Sequence, residues 1–212
     1  MSNQSKEKLW AKGKEIVLSA PQLYVDVDVE ADGIAGYGSM LSIGAQSPTG
    51  ESFYSEIKPY DDNYLEGHRE FCEAHGLSID RLITEGHDIN DVMETFRLWL
   101  RELEIKHAKE PVFTAYNAAF DWAHVDLGFQ LADVEENPFG IAPFDLKSLA
   151  VPLTRDWNFV ATKKRLLPPE IIPEGDFTHH ALEDAQYQQK LHFGMAALLG
   201  ESQYKRNVSG EL

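Results

Sequence analysis

Four acidic residues and one histidine, drawn from three distant segments of the chain, are the side chains best suited to chemistry: Asp28, Glu30, Asp121, His179 and Asp184. Carboxylates that are brought together repel one another unless positive charge lies between them. A pair of divalent cations is the usual solution, and such a pair is well suited to the hydrolysis of phosphodiesters. The residue types therefore favour a metal-dependent phosphodiester hydrolase.

The first pair of carboxylates lies at the end of an apolar strand over residues 23–30. Asp28 and Glu30 are two positions apart, so both side chains leave the same face of the strand. Asp26 shares that face, which leaves an Asp26/Asp28 pair as a competing register. We favour Asp28 and Glu30 because they lie beside the Gly33 turn, at the carboxyl edge where α/β sites usually form.

The third carboxylate, Asp121, falls in the first turn of a predicted helix whose N-cap would be Asn117. The positive end of the helix dipole favours a carboxylate at this position. Taken alone, Asp121 is therefore better explained as a residue that stabilises the start of the helix.

The last segment carries two adjacent histidines before Asp184. His179 is five residues before Asp184, which on a helix separates the two side chains by about 140°. His179 can share a site with Asp184 only from a loop that precedes the helix, whereas His180 could face Asp184 within the helix. Local geometry leaves both pairings open.

Taken together, these segments resemble the DEDDh 3′–5′ exonucleases, which include the proofreading subunit of bacterial replicative polymerases and several RNA-trimming enzymes. The resemblance covers roughly residues 22–200 and rests on segments 28–33, 117–121 and 179–185, with 75–78 similar to the family's His-Gly-Ile-Thr segment. The family's histidine lies five residues before the last aspartate, so the resemblance selects His179.

The resemblance implies a ribonuclease-H-like fold and two divalent cations, Mg²⁺ or Mn²⁺, held by oxygen ligands. Asp28 would bridge both metals, Glu30 and Asp184 would hold the metal that activates water, and Asp121 would hold the other. His179 would act as general base, since the ordinary pKa of an imidazole suits neutral pH. The product would be a nucleoside 5′-monophosphate.

Contacts to the nucleic acid are expected from the segments around these motifs and from one basic cluster: Ala31, Asp32, Gly33, Ile34, Asn117, Lys163, Lys164 and Arg165. The basic cluster, Lys163 to Arg165, suits a phosphate contact, and it equally suits a solvated loop. Members of the family often carry Thr or Ser just after the Glu of the first segment, which is Glu30 in this chain. Ala31 and Asp32 stand there in this chain, so that hydroxyl is missing.

The hydrophobic pattern predicts an N-terminal lead-in over 1–20, a single domain over 21–200 and a polar tail over 201–212. Strands are predicted at about 22–30, 39–45, 52–57, 111–116 and 143–146, and helices at 64–76, 88–107, 117–131, near 149 and 180–199, with 154–178 irregular. This order predicts an α/β domain of three layers around a mixed central sheet of about five strands.

Composition limits the location and partners of the protein. A single cysteine, no signal-peptide pattern and no long apolar run predict a cytoplasmic protein without a membrane partner. The net charge of −16 is poorly suited to tracking a long duplex. We therefore expect contact with single-stranded DNA or RNA 3′ ends. The sequence does not determine whether the chain forms a homodimer or joins a polymerase or repair partner.

Three alternative functions remain at this level. An endonuclease of the wider ribonuclease-H-like group would use similar metal ligands, although the His-x4-Asp segment argues against it. A catalytically weak, nuclease-like binding module would be expected to lack a ligand, and none is missing. A nucleotide phosphohydrolase is compatible with the acidic composition.

Overall fold

A five-stranded mixed sheet forms the centre of the computed structural model, which describes residues 3–134, 136–155 and 167–209. The strands are β1 (Leu23–Ala31), β2 (Met40–Gln46), β3 (Ser52–Glu56), β4 (Pro111–Ala115) and β5 (Phe144–Asp145). Their order across the sheet is β3-β2-β1-β4-β5. The β2–β3 hairpin runs antiparallel to β1, whereas β4 and β5 run parallel to it. The predicted mixed sheet of about five strands is confirmed.

The helices are α1 (Asn3–Ser19), α2 (Glu66–Ala74), α3 (Ile79–Glu85), α4 (Ile89–His107), α5 (Ala119–Leu131), α6 (Leu146–Thr154) and α7 (Ala181–Ser209). Helix α3 is an addition to the predicted elements, and α7 continues past the expected end near residue 199 into the segment expected to be a polar tail. Within the described part of the chain, no helix combines the length and the apolar character needed to cross a membrane.

Strand β1 is central and separates two layers of helices. Val25 and Val27 are fully buried and belong to one apolar cluster with Phe96 of α4. Asp26 points to the opposite face, where its carboxylate lies 3.5 Å from the imidazole of His192 on α7. The acidic face of β1 is thus turned toward α7, and the layers are α4 and α5, the sheet, and α7 with α1.

Helix α1 packs along α7 at close range. Gly13 permits this approach, because a Cβ at that position would lie 1.7 Å from the carbonyl oxygen of Phe193. The indole of Trp10 donates a hydrogen bond to the carbonyl of Ile171 (3.2 Å), and Lys6 donates one to the carbonyl of Ile172 (2.8 Å). Helix α1 therefore fastens the segment that leads into α7.

Candidate active site

Three of the five expected site residues meet at the carboxyl end of β1. Glu30, His179 and Asp184 each offer one ligand atom, and these atoms all lie within 4.8 Å of one another. The imidazole Nδ1 of His179 is 3.7 Å from Oε1 of Glu30. The end of the strand and the start of α7 thus bring two distant parts of the chain into one cluster.

The backbone before α7 is shaped by Asp184. Its carboxylate accepts hydrogen bonds from the amides of Thr178 (2.7 Å) and His179 (3.0 Å). His179 adopts a left-handed conformation with φ of 60° and lies outside the helix, which begins at Ala181. The expectation that His179 must lie on a preceding loop in order to reach Asp184 agrees with this arrangement.

The neighbouring histidine is directed elsewhere. The ring of His180 stacks on Tyr54 of β3, with ring centroids 4.3 Å apart and planes inclined by 19°. Its contact with Asp184 runs through the backbone, where the His180 carbonyl accepts the Asp184 amide at 2.9 Å. The side-chain pairing of His180 with Asp184 that the sequence left open is therefore not formed.

Asp121 lies in the first turn of α5 as expected, and its Oδ1 accepts the amide of Val29 at 3.0 Å. The predicted Asn117 N-cap is wrong. The N-cap position belongs to Ala118, while Asn117 has a left-handed backbone with φ of 70°. The carboxylate of Asp145 accepts the amides of Asn117 and Ala118, both at 3.1 Å. A carboxylate from a distant part of the chain thus takes the place of the expected local cap.

The carboxylates of the site repel one another. Burial raises the pKa of Asp28 well above its ordinary value, and the charges of Asp121, Glu30 and Asp184 raise it further. Burial, followed by the charges of Asp184 and Asp121, raises the pKa of Glu30 to about 8. Burial likewise raises the pKa of Asp121 to about 7 and that of Asp184 above its ordinary value, although backbone hydrogen bonds oppose the shift at both residues. A cation would relieve this repulsion.

The competing Asp26 register is separate from this cluster. Asp26 is fully buried between β1 and α7, with Gln189 donating to its carboxylate at 3.4 Å beside His192. Within the described residues, the group of possible metal ligands contains Glu30 and excludes Asp26. Asp28 also lies outside that group of three, but the charges of Asp121, Glu30 and Asp184 act on it, which favours the Asp28/Glu30 register.

The loop after β1 is held by an ion pair with a buried carboxylate, a contact that sequence reasoning missed. Asp32 has no solvent exposure, and its carboxylate pairs with Arg69 of α2 at 2.6 Å and accepts the amide of Ser39 at 2.7 Å. The carbonyl of Gly33 lies 3.2 Å from Nε2 of His124. Asp32 was expected to contact substrate, and its carboxylate is instead engaged within the fold.

A cavity of about 370 Å³ opens beside Glu30. Its lining is mainly apolar and comprises Glu30, Ala31, Gly67, His68, Phe71, Cys72 and Phe120. Ile34, on the loop that follows, is 54% exposed. A larger cavity of about 580 Å³ lies at the amino end of β4 and contains none of the expected site residues. The cavity beside Glu30 is the relevant one, because Glu30 belongs to the cluster of possible metal ligands.

The remaining expected substrate contacts lie at the margins. Asn117 is exposed at the start of α5, and its side-chain oxygen accepts a hydrogen bond from Lys147 at 3.4 Å. The basic cluster of Lys163, Lys164 and Arg165 falls outside the described residues. Sequence reasoning also gave no role to Phe71 and His75, although their spacing of four on a predicted helix could have marked them as neighbours.

Comparison with curated proteins finds a close relative in Escherichia coli, named 3′-5′ DNA exonuclease Cap18. It is 34% identical over 174 residues, which cover 80% of this chain and 89% of that protein. No protein-family model matches the chain.

Comparison with solved structures finds the same fold in exonucleases. The nuclease domain of 3′hExo, described as a DEDDh family member bound to rAMP, aligns with a TM-score of 0.64 at 12% identity, covering 86% of this chain and 94% of that one. A 3′-exonuclease solved for its recognition of the histone mRNA stem-loop aligns with a TM-score of 0.65 at 12% identity, covering 84% and 82%. At such low identity these matches establish the fold.

Proposed function

The chain belongs to the DEDDh family of 3′–5′ exonucleases, and we propose that it removes nucleoside 5′-monophosphates from single-stranded DNA 3′ ends. The observation that carries this proposal is the convergence of Glu30, His179 and Asp184 within 4.8 Å. The choice of DNA over RNA rests on the name of the 34% identical relative, which covers most of the chain.

The donor set fits hard divalent cations. It consists of carboxylate oxygens, and the mutual repulsion of the carboxylates favours a site that takes up positive charge. We propose that Asp28, Glu30 and Asp184 hold one Mg²⁺ or Mn²⁺ ion, and that Asp28 and Asp121 hold a second. Bound cations would supply the Lewis acidity that activates water and offsets charge on the leaving 3′ oxygen.

His179 is proposed as the general base. Its imidazole borders the carboxylate cluster through Glu30, and it is 35% exposed, so a water molecule at the site could reach it. The imidazole would accept the proton of the attacking water, for which its chemistry is suited near neutral pH. Asp184 supports this role by fixing the His179 backbone.

The cavity beside Glu30 is proposed to receive the terminal nucleotide. The Phe71 and Phe120 rings on its wall could contact a base or sugar without selecting a sequence. The net charge of −16 favours a grip on few phosphates, so unpaired ends should be preferred over duplex.

The proposal is tested with 5′-labelled single-stranded DNA, the same sequence as RNA, a 3′-blocked strand and a closed circle, each incubated with Mg²⁺ or Mn²⁺. We expect stepwise shortening of the free DNA strand, with the released product having the mass of a nucleoside 5′-monophosphate. Titration calorimetry with Mn²⁺ should give two ions per chain. Cleavage of the circle would favour an endonuclease, faster cleavage of RNA would reverse the substrate assignment, and release of inorganic phosphate alone would indicate a phosphohydrolase.

A further inference from the structure

We propose that α2 orients His179 for catalysis, through two aromatic rings that pack against the imidazole in edge-to-face arrangements. The rings belong to Phe71, within α2, and His75, the C-cap residue directly after it. They act here as positioning residues. The inference rests on the proposed function, since it concerns how the general base of that site is held.

Both rings contact the His179 imidazole at short range. The Phe71 and His179 centroids are 4.5 Å apart with the planes inclined by 78°, and the His75 and His179 centroids are also 4.5 Å apart, with an inclination of 65°. These are edge-to-face arrangements, in which the positive edge of one ring meets the negative face of another. The imidazole is thus bordered by Glu30 on one side and by α2 on another.

The two rings also hold each other. Phe71 and His75 are four residues apart, and their centroids are 4.3 Å apart. The Nδ1 atom of His75 lies 2.7 Å from the carbonyl oxygen of Phe71. A carbonyl can only accept, so Nδ1 of His75 is the donor, and this bond fixes the plane of the His75 ring.

His179 lies outside the regular hydrogen bonding of α7, which begins at Ala181. It precedes α7 in a left-handed conformation, and the hydrogen bond that Asp184 accepts from it holds only its backbone. A side chain that is 35% exposed has room to rotate toward solvent unless neighbouring groups confine it. Phe71 and His75 supply that confinement from outside the segment.

Helix α2 is in turn held to Asp32, which directly follows the strand that carries Glu30. Arg69, two residues before Phe71, pairs with the buried carboxylate of Asp32 at 2.6 Å. The amide of Leu65, at the start of α2, donates to the carbonyl of Asp32 at 2.8 Å. These contacts of Arg69 and Leu65 with Asp32 therefore fix the position of the two rings relative to Glu30.

The two positioning residues differ in one respect that makes the inference testable. Phe71 lines the cavity beside Glu30, whereas His75 is not part of that lining. Loss of the Phe71 ring should therefore alter both kcat and KM. Loss of the His75 ring should lower kcat and leave KM unchanged, because only the orientation of His179 is affected.

The test compares His75→Ala, His75→Phe and the control His87→Ala, which changes an exposed histidine between α3 and α4. His75 is also exposed, so the variants should fold. A contact between aromatic rings of this kind predicts a fall in kcat on the order of 2- to 10-fold for His75→Ala. His75→Phe should restore most of the loss, and His87→Ala should match wild type.

Two further measurements separate this inference from the proposed function. In a His179→Ala background, adding His75→Ala should cause no further loss of kcat. In metal-free protein that retains His179, His75→Ala should move the NMR signals of the His179 ring. Unchanged kcat and unchanged ring signals in His75→Ala would overturn the inference, as would an equal loss in the two backgrounds. An active His179→Ala enzyme would instead overturn the general base, and the ring signals would still report whether His75 orients that side chain.

Discussion

The carboxylate of Asp184 accepts the backbone amide of His179 at 3.0 Å, so the last of the four proposed acidic ligands also shapes the loop that carries the histidine. Replacing Asp184 would therefore remove a proposed metal ligand and release the His179 backbone together. Among the hydrogen bonds of the described residues, none joins the Asp28 side chain to that loop. A substitution at Asp28 therefore tests metal binding without also releasing the His179 backbone.

Asp28→Asn should abolish activity while the protein remains folded. Loss of the ligand shared by two cations should reduce turnover by at least about 10³-fold. The metal-free variant should be more stable than metal-free wild type, because burial, followed by the charges of its acidic neighbours, raises the pKa of Asp28, and the substitution removes a carboxylate that is costly to ionise there. Thermal unfolding and turnover should be compared with Asp62→Asn, an exposed carboxylate outside the site. Near-normal turnover in Asp28→Asn would exclude the proposed ligand set.

The adjacent histidines should differ sharply. His179→Ala should lose about 10²- to 10⁴-fold in kcat at neutral pH, as expected for a general base. His180→Ala removes a ring that stacks on Tyr54 outside the cluster and should change kcat by only a few-fold. Steady-state kinetics of the two variants gives the comparison, and an equal or larger loss at His180 would contradict the assignment.

The metal-free protein should lose stability as the pH rises. The folded-state pKa is about 8 for Glu30 and about 7 for Asp121, above the ordinary values of 4.5 and 3.8. Both groups are held in their neutral forms by folding, so their contribution is complete below the ordinary values and is lost as pH rises through 7 and 8. Thermal unfolding of metal-free protein between pH 5 and pH 9 measures this trend.

Divalent cations should reverse that trend. They bind the deprotonated carboxylates, so metal affinity should increase over the same pH range and binding should release protons. A hundredfold excess of Mn²⁺ over its dissociation constant adds about 2.7 kcal/mol, which for a chain of this size raises Tm by roughly 5–10 °C. A Tm that is independent of both pH and Mn²⁺ would contradict the charged cluster.

Gly44→Ala should displace the start of α7. A Cβ at Gly44 in β2 would lie 2.2 Å from backbone atoms of Ala181 and Leu182, so the helix that carries Asp184 must move. Overpacking of this kind costs about 1–3 kcal/mol, and activity should fall with stability. Gly67→Ala, which meets nothing within 4 Å, should retain or increase stability in a parallel unfolding experiment. Equal stabilities for the two variants would show that this contact is unimportant.

Much of the arrangement of the candidate site could be predicted because its acidic residues lie in regular elements with strong patterns. The alternation of β1 placed Asp28 and Glu30 on one face, and the turn at Gly33 placed them at its end. The choice between His179 and His180 needed the family resemblance, since spacing alone allowed both. In the structure that choice depends on where α7 begins and on the contact of His180 with Tyr54 of a distant strand.

The features that the sequence did not predict depend on contacts between distant segments. Asp145 replaces the expected Asn117 cap from 28 residues away. Asp32 was expected to contact the nucleic acid, and it is buried, with its carboxylate paired to Arg69 of α2. The packing of α1 depends on Gly13, whose mixed and charged surroundings gave no sign of a buried helix face. Local propensity carries no information about such partners.

The most direct test of the account is the product pattern from 5′-labelled single-stranded DNA, compared between wild type and Asp28→Asn, with Mg²⁺ or Mn²⁺ and with excess chelator. The account predicts a ladder that shortens one nucleotide at a time from the 3′ end with wild type and metal, and intact substrate with the variant or the chelator. Shortening that persists in Asp28→Asn or in excess chelator, or fragments that arise from internal cleavage, would contradict it.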